Sequence, residues 1–317
     1  MSKYRLNTVY FILLLAPLFW GGAFGVTKHV LTELTPLTAS AIRFLLASLL
    51  MITWVTIRKE WKFDLIKQHW LGLTLLGFTG VFLYNFFFAT GLQYTSAING
   101  ALIFSVNPAV TACMAIILLG ETWNWRIGVG VIISFIGVFL IVTQGNLHIL
   151  ENNSICLGDI YILGSVISWV SYTLLGRLIT CHIGPLLTTT ISTFLGSLML
   201  LFASFFAEHN WEKILTISKQ TTFEFAYLAI FATVVAFLSY NWGVQQIGAT
   251  KASSYINLMP INALWIAILF YGESASINHF IGMIITIIGV LVTIKSQQLT
   301  SEKASANKEA PPLQIVK

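Results

Sequence analysis

Long apolar runs separated by short polar breaks make up almost the whole chain. The runs are near 20 residues, the length at which a helix crosses the ~30 Å hydrocarbon core of a bilayer. None alternates apolar and polar positions with period two, which argues against a transmembrane barrel. The pattern predicts ten helical spans, at roughly 9–28, 36–57, 70–92, 97–119, 126–144, 156–176, 185–206, 222–243, 251–270 and 277–295. Beyond Lys295 the chain turns polar, so 296–317 is expected to be a disordered tail.

Inside this pattern lies a second one. Asn107-Pro108 is followed by Gly120-Glu121, and Met259-Pro260 by Gly272-Glu273, with 152 residues between corresponding positions. Gly91/Gly243, Gln93/Gln245, Ala97/Ala249, Gly130/Gly282 and Gly137/Gly289 keep the same register. Toward the front of each half the spacing becomes 149: Trp20, Phe24, Lys28 and Pro36 correspond to Trp169, Thr173, Arg177 and Pro185. The chain therefore reads as an internal duplication, 1–145 and 150–295. With five spans in each copy, the second enters the membrane from the opposite side, so the repeats are expected to be inverted. The fold class expected is an all-α integral membrane protein of ten transmembrane helices. The first run follows Lys3 and Arg5 as a signal peptide would. No small-x-small cleavage site follows it, and its counterpart is an ordinary span, so it is read as a retained helix.

Composition agrees: 56% hydrophobic and 9% charged residues, against about a quarter charged in soluble domains. Placing the N-terminus in the cytoplasm puts thirteen of the 17 Lys and Arg inside and three outside, with Arg43 within a span. That bias predicts a multi-pass protein of the cell (inner) membrane with both termini cytoplasmic. The net charge of +5 reflects this topology. It is spread over several loops without a basic face, so no nucleic-acid partner is expected.

Polar and helix-breaking residues at membrane depth are the candidates for a site. Pro17, Pro108 and Pro260 are candidate hinges, the last two matched across the repeat. Tyr84-Asn85 and Tyr240-Asn241 form a second, approximate pair; each Asn is suited either to a substrate's polar groups or to a bond between helices. Asn107, Tyr255 and Asn257 surround the matched prolines. Trp20 and Trp169, with Phe88, Tyr172 and Trp265, are candidate walls of an aromatic cavity. Arg43 requires a carboxylate, helix carbonyls, the interface or an anionic substrate, and pairing or snorkelling is favoured. Glu121 and Glu273 read as helix-end residues.

Other chemistries find little support. Cys113, Cys156 and Cys181 form no CxxC pair and read as packing residues, neither disulfide nor metal ligands. The two aspartates, Asp64 and Asp159, do not suit a diaspartyl protease, and zinc, serine-nucleophile and P-loop motifs are absent. No enzyme activity and no cofactor are expected. A channel and a scaffold remain competing readings.

Trp20-Gly21-Gly22-Ala23-Phe24, Pro36 and Ala41-Ile42-Arg43-Phe44 resemble the opening of ten-helix carriers of the drug/metabolite transporter superfamily, which contain two EamA-type repeats. Leu92-Gln93-Tyr94-Thr95-Ser96-Ala97, Asn107-Pro108 and Leu119-Gly120-Glu121 resemble the end of one repeat. Thr250-Lys251-Ala252-Ser253, Pro260 and Gly272-Glu273 resemble the same region of the second. The resemblance spans about 9–295. It implies a secondary transporter exporting small polar metabolites, amino acids or related compounds foremost, by alternating access. Drugs, nucleoside-type metabolites and a non-coupled facilitator are the alternatives. The expected partners are a small-molecule substrate and the lipid bilayer; oligomeric state is left open, a monomer included.

Overall fold

The computed structural model describes residues 6–119, 124–143, 145, 156–208 and 211–309, and no strand occurs among them. The first half contains α1 (Leu6–Val30), α2 (Pro36–Ile57), the short α3 (Phe63–Gln68), α4 (Trp70–Gly77), α5 (Tyr84–Tyr94), α6 (Ala97–Phe104), α7 (Asn107–Leu119) and α8 (Trp125–Thr143). The second contains α9 (Leu157–Ile183), α10 (Pro185–Ala207), α11 (Lys219–Ala229), α12 (Ala236–Ile247), α13 (Ala249–Ser253), α14 (Met259–Tyr271) and α15 (Ile277–Glu309). A π-helical turn at Phe78–Leu83 joins α4 to α5, and another at Ile230–Val235 joins α11 to α12. The two turns keep the 152-residue register.

Among the described residues, eight helical stretches are long and apolar enough to cross a bilayer, and Met259–Tyr271 and Ile277–Thr293 are shorter apolar helices. Of the two that fall short, the ninth has a local cause. Before Met259 the chain runs through a 3₁₀ turn, Ser254–Leu258, so the ninth apolar stretch is broken. Pro108 and Pro260 do not kink helix interiors. Each is the second residue of a new helix, after a tight turn at Ser105-Val106 or after that 3₁₀ turn. There the missing proline N–H costs nothing, because the first helical amides lack partners anyway. The last helix continues to Glu309, beyond the Lys295 boundary, since a helix closes its own backbone hydrogen bonds without needing burial. Pro17 lies inside α1, which runs unbroken through it.

The halves interlock. α8 packs along α15, α2 along α10, α5 along α9, and α1 along α12 and α14. The α8–α15 contact is close because it is built on glycine. A Cβ on Gly130 would lie 2.7 Å from the Gly289 carbonyl oxygen, and one on Gly137 would lie 2.7 Å from that of Gly282. These four glycines are two pairs in the 152 register. Midway between them, Ser134 Oγ reaches the carbonyl of its own counterpart, Thr286, at 3.4 Å.

One end of the bundle, carrying 31–35, 93–96, 208, 211–218 and 272–276, is tied by carboxylates. Glu208 accepts the amides of Leu37 (3.0 Å) and Thr38 (2.8 Å) at the start of α2. Glu33 accepts the Ser218 amide and the Thr221 hydroxyl, both at 2.8 Å, at the start of α11. Glu273 accepts the amides of Ala97 (2.8 Å) and Ile98 (3.0 Å) at the start of α6. Each places an anion at a helix N-terminus, where exposed amides and the helix dipole favour it. Glu273 is therefore a helix-end residue as expected, but for a helix of the other half. Glu121 lies outside the described residues.

Candidate functional site

Midway along the bundle the two halves meet through Trp20 of α1 and Trp169 of α9. Their rings pack edge to face with centroids 5.0 Å apart. Phe237 lies 5.8 Å from Trp20 and 5.2 Å from Trp169, and Tyr84 lies 5.2 Å from Trp169. With Ala23, Phe24, Arg43, Phe88, Phe104 and Met259 they enclose a cavity of about 10 Å³. That is room for about one water, far below the ~300–1,000 Å³ usual for a ligand pocket. The site is thus closed around its aromatic lining.

The π-helical turn between α11 and α12 positions the polar side of this site. Its Ala232 carbonyl accepts a hydrogen bond from Trp20 Nε1 (2.9 Å) and one from Arg43 Nη2 (3.3 Å). Arg43 Nε donates to Thr233 Oγ1 at 2.9 Å. Arg43 is 5% exposed, so it does not snorkel, and neither close basic–acidic contact found among the described residues, His29–Glu224 and Arg58–Glu60, involves it. Of the expected ways to satisfy it, helix carbonyls and a hydroxyl are those seen. On its other side Arg43 borders a second small cavity with Thr27, Asn85 and Phe225. The matching π-helical turn, at Phe78–Leu83, holds Gly80 against the ring of Tyr172; a Cβ there would meet Tyr172 Cε2 at 2.8 Å.

Of the residues singled out from sequence, Trp20, Arg43, Tyr84, Phe88 and Trp169 converge on the main cavity. Tyr172 and Tyr240 back its wall, 5.1 Å from Trp169 and 5.2 Å from Trp20 by ring centroid. Asn85 faces the second cavity and donates to its own helix at Val81 O (2.7 Å). Asn241 is used between helices: Nδ2 donates to Tyr172 Oη (2.6 Å) and Thr189 Oγ1 (2.8 Å). Asn107 is buried elsewhere and bonds Thr111. Tyr255 stacks on Tyr10 at 6.1 Å. Trp265 is 60% exposed on the outside of the bundle and lines neither cavity. The Asn257 side chain lies outside what is described. Phe24, Phe104, Phe237 and Met259 were not singled out. A signal existed for Phe24 and Phe237, each about one helical turn from a chosen aromatic, Trp20 and Tyr240.

Toward the carboxylate-tied end the way out is closed. His29 Nδ1 and Glu224 Oε2 are 2.8 Å apart, and Tyr271 and Gln220 each donate to Glu224 Oε1 at 3.1 Å. Lys28 Nζ donates to the Leu92 and Thr95 carbonyls at 2.6 Å, and Thr95 in turn donates to buried Asp159. These groups join α1, α5, α9, α11 and α14. At the opposite end the described links between helices include Gln245 Nε2 donating to Thr180 O (3.0 Å) and the stacked rings of His69 and His182.

Comparison with known proteins agrees with this architecture. The model of the EamA-like transporter family matches twice, over residues 7–143 and 156–295. The chain is 32% identical over 283 residues to the uncharacterized transporter YyaM of Bacillus subtilis, covering 89% of this chain and 92% of that protein. It is 31% identical over 294 residues to an uncharacterized transporter of Archaeoglobus fulgidus, covering 92% and 99%. A solved crystal structure superposes with a TM-score of 0.69 at 15% identity, over 92% of this chain and 99% of the other. That likeness concerns the fold.

Proposed function

The chain belongs to the EamA-like transporter family, and from that membership we propose that it is a secondary carrier exporting small polar metabolites, amino acids or related compounds foremost, by alternating access. The observation that carries this reading is the closed aromatic cavity between Trp20 and Trp169, counterparts in the two halves, at mid-bundle. A site at the interface of two repeats is what rocking carriers use.

The proposal includes ten spans arranged as inverted five-helix repeats, 1–145 and 150–295. Several observations support it. The family match is double. The π-helical turns and the helix-starting prolines recur at 152 residues. Ser134 and Thr286, also 152 apart, touch one another, as positions beside a two-fold axis do. The ninth stretch, from Ala249 to Tyr271, is helical throughout, with the 3₁₀ turn Ser254–Leu258 between its two α-helical pieces. The lysine and arginine bias then sets both termini in the cytoplasm of a cell (inner) membrane and the carboxylate-tied end outside. Pro108 and Pro260, at breaks rather than kinks, are the hinges of this reading.

Counterflow in proteoliposomes tests it, with a panel of amino acids, nucleosides and drugs. Saturable, trans-stimulated exchange of at least one amino acid is expected. Its absence for every amino acid would sink the amino-acid assignment, and non-saturating conductance would replace the carrier by a channel.

A further inference from the structure

Transport alone does not explain why Arg43 is charged. A cation near the bilayer centre costs at least ~2.5 kcal/mol, and its contacts here, Thr233 Oγ1, Ala232 O and the face of the Phe44 ring at 4.9 Å, carry no net charge. A guanidinium carries five N–H donors, more than those two oxygens take up. Neither cavity it borders is lined by an acid.

A second donor belongs to a residue that lines the same cavity, Trp169, which is 2% exposed. Its Nε1–H has no hydrogen-bond partner among the described residues; the Tyr240 hydroxyl comes near but not in bonding geometry. In the adjoining cavity the Thr27 hydroxyl is likewise buried and without a partner. Buried polar groups are ordinarily satisfied; Trp169 Nε1–H and the Thr27 hydroxyl, two of the six without a partner among the described residues, belong to residues lining the two cavities that Arg43 borders, where an acceptor arriving from elsewhere would meet the cation.

We propose that this acceptor is the carboxylate of the substrate, held by Arg43 with Trp169 Nε1–H as a second donor. A carboxylate accepts only, and matches the planar fork of a guanidinium. One cation balances one negative charge, which favours a carboxylate over a doubly charged phosphate. The remaining walls, Trp20, Tyr84, Phe88 and Phe237, are aromatic faces, suited to an ammonium or an apolar side chain. The substrate class is therefore a zwitterionic amino acid, its carboxylate directed at α2 and the rest among the rings. This inference rests on the transport reading and adds the group that is recognised.

The test compares each amino acid with its amide and its decarboxylated amine, using the full-length protein. Counterflow and thermal stabilisation of the purified protein in detergent are read in parallel. Wild type is expected to favour the acid by about 10- to 100-fold, the worth of a charge-assisted hydrogen bond. Arg43→Gln is expected to abolish that preference, and Arg43→Lys to keep part of it. Trp169→Phe, which preserves the ring, is expected to weaken the acid about 2- to 10-fold. If Arg43→Gln does not fold, the comparison of acid with amide on wild type still decides. Amides or amines exchanged and stabilising as well as acids would overturn the carboxylate assignment and leave the transport reading standing. No exchange and no stabilisation by any compound would overturn both.

Discussion

Asn241 shows how a membrane-embedded amide divides between substrate and structure. Both its donor hydrogens are committed, to Tyr172 and Thr189 on neighbouring helices. Asn241→Leu is therefore expected to lower thermal stability by about 1 kcal/mol, at roughly 0.6 kcal/mol for each interhelical bond, with little change in the apparent affinity of exchange. A large affinity change at unchanged stability would return Asn241 to the binding site. The sequence offered Asn241 for either role, because an amide at membrane depth looks the same in both. Trp20, Trp169 and Tyr84 were legible because a matched pair of deep aromatics has few places to go but the interface of the repeats. The acceptors of Arg43 were not. They arise from a π-helical turn, and nothing in Ile230-Phe231-Ala232-Thr233-Val234-Val235 distinguishes that turn from α-helix by composition. Trp265 was misleading for a simple reason: at lipid-facing depth an aromatic is as welcome as in a core.

At the scale of elements, helix ends and helix contacts carry the specificity. Gly137 lets α8 approach α15, and a side chain there would push directly into the Gly282 backbone. Gly137→Leu is expected to cost about 1–3 kcal/mol by overpacking, read as a lower unfolding temperature in detergent. The same change at Gly72, where the obstacle is the movable end of the Ile179 side chain, is expected to cost less. The carboxylates at the tied end make a pH-dependent prediction. The Ser218 backbone amide, with the Ser218 and Thr221 hydroxyls, holds Glu33 below its ordinary value of 4.5. A depressed carboxylate contributes stability above its ordinary value and loses it as pH falls through the native one. The unfolding-temperature gap between wild type and Glu33→Gln is thus expected to be constant near neutrality and to close below about pH 4.5. A gap that persists at pH 3 would remove Glu33 from the link between α1 and α11. Sequence patterning placed the helices well, since apolar run length is a strong signal. It left open how Pro108 and Pro260 interrupt their runs, because a proline inside a run and a proline starting a new helix within that run read alike.

For the whole molecule, the proposed rocking of the halves raises the question of which contacts would have to break. The glycine seam of α8 and α15 is close, and it spans the halves at Ser134 and Thr286, counterparts in the repeat. Two rigid halves turning about such a seam keep it intact while separating groups far from it. The cluster of His29, Glu224 and Tyr271 is that kind of group: it joins α1 of one half to α11 and α14 of the other at the tied end. In a background with Cys113, Cys156 and Cys181 changed to Ala, a thiol crosslink between Ser134→Cys and Thr286→Cys is therefore expected to leave counterflow near the uncrosslinked rate. A crosslink between His29→Cys and Glu224→Cys is expected to stop it, with reduction restoring transport in both. The reverse result would place the moving interface at α8 and α15 and make the tied end the pivot. Full activity in both crosslinked proteins would mean that substrate crosses without separation of the halves around the cavity of about 10 Å³, and would overturn the proposed rocking.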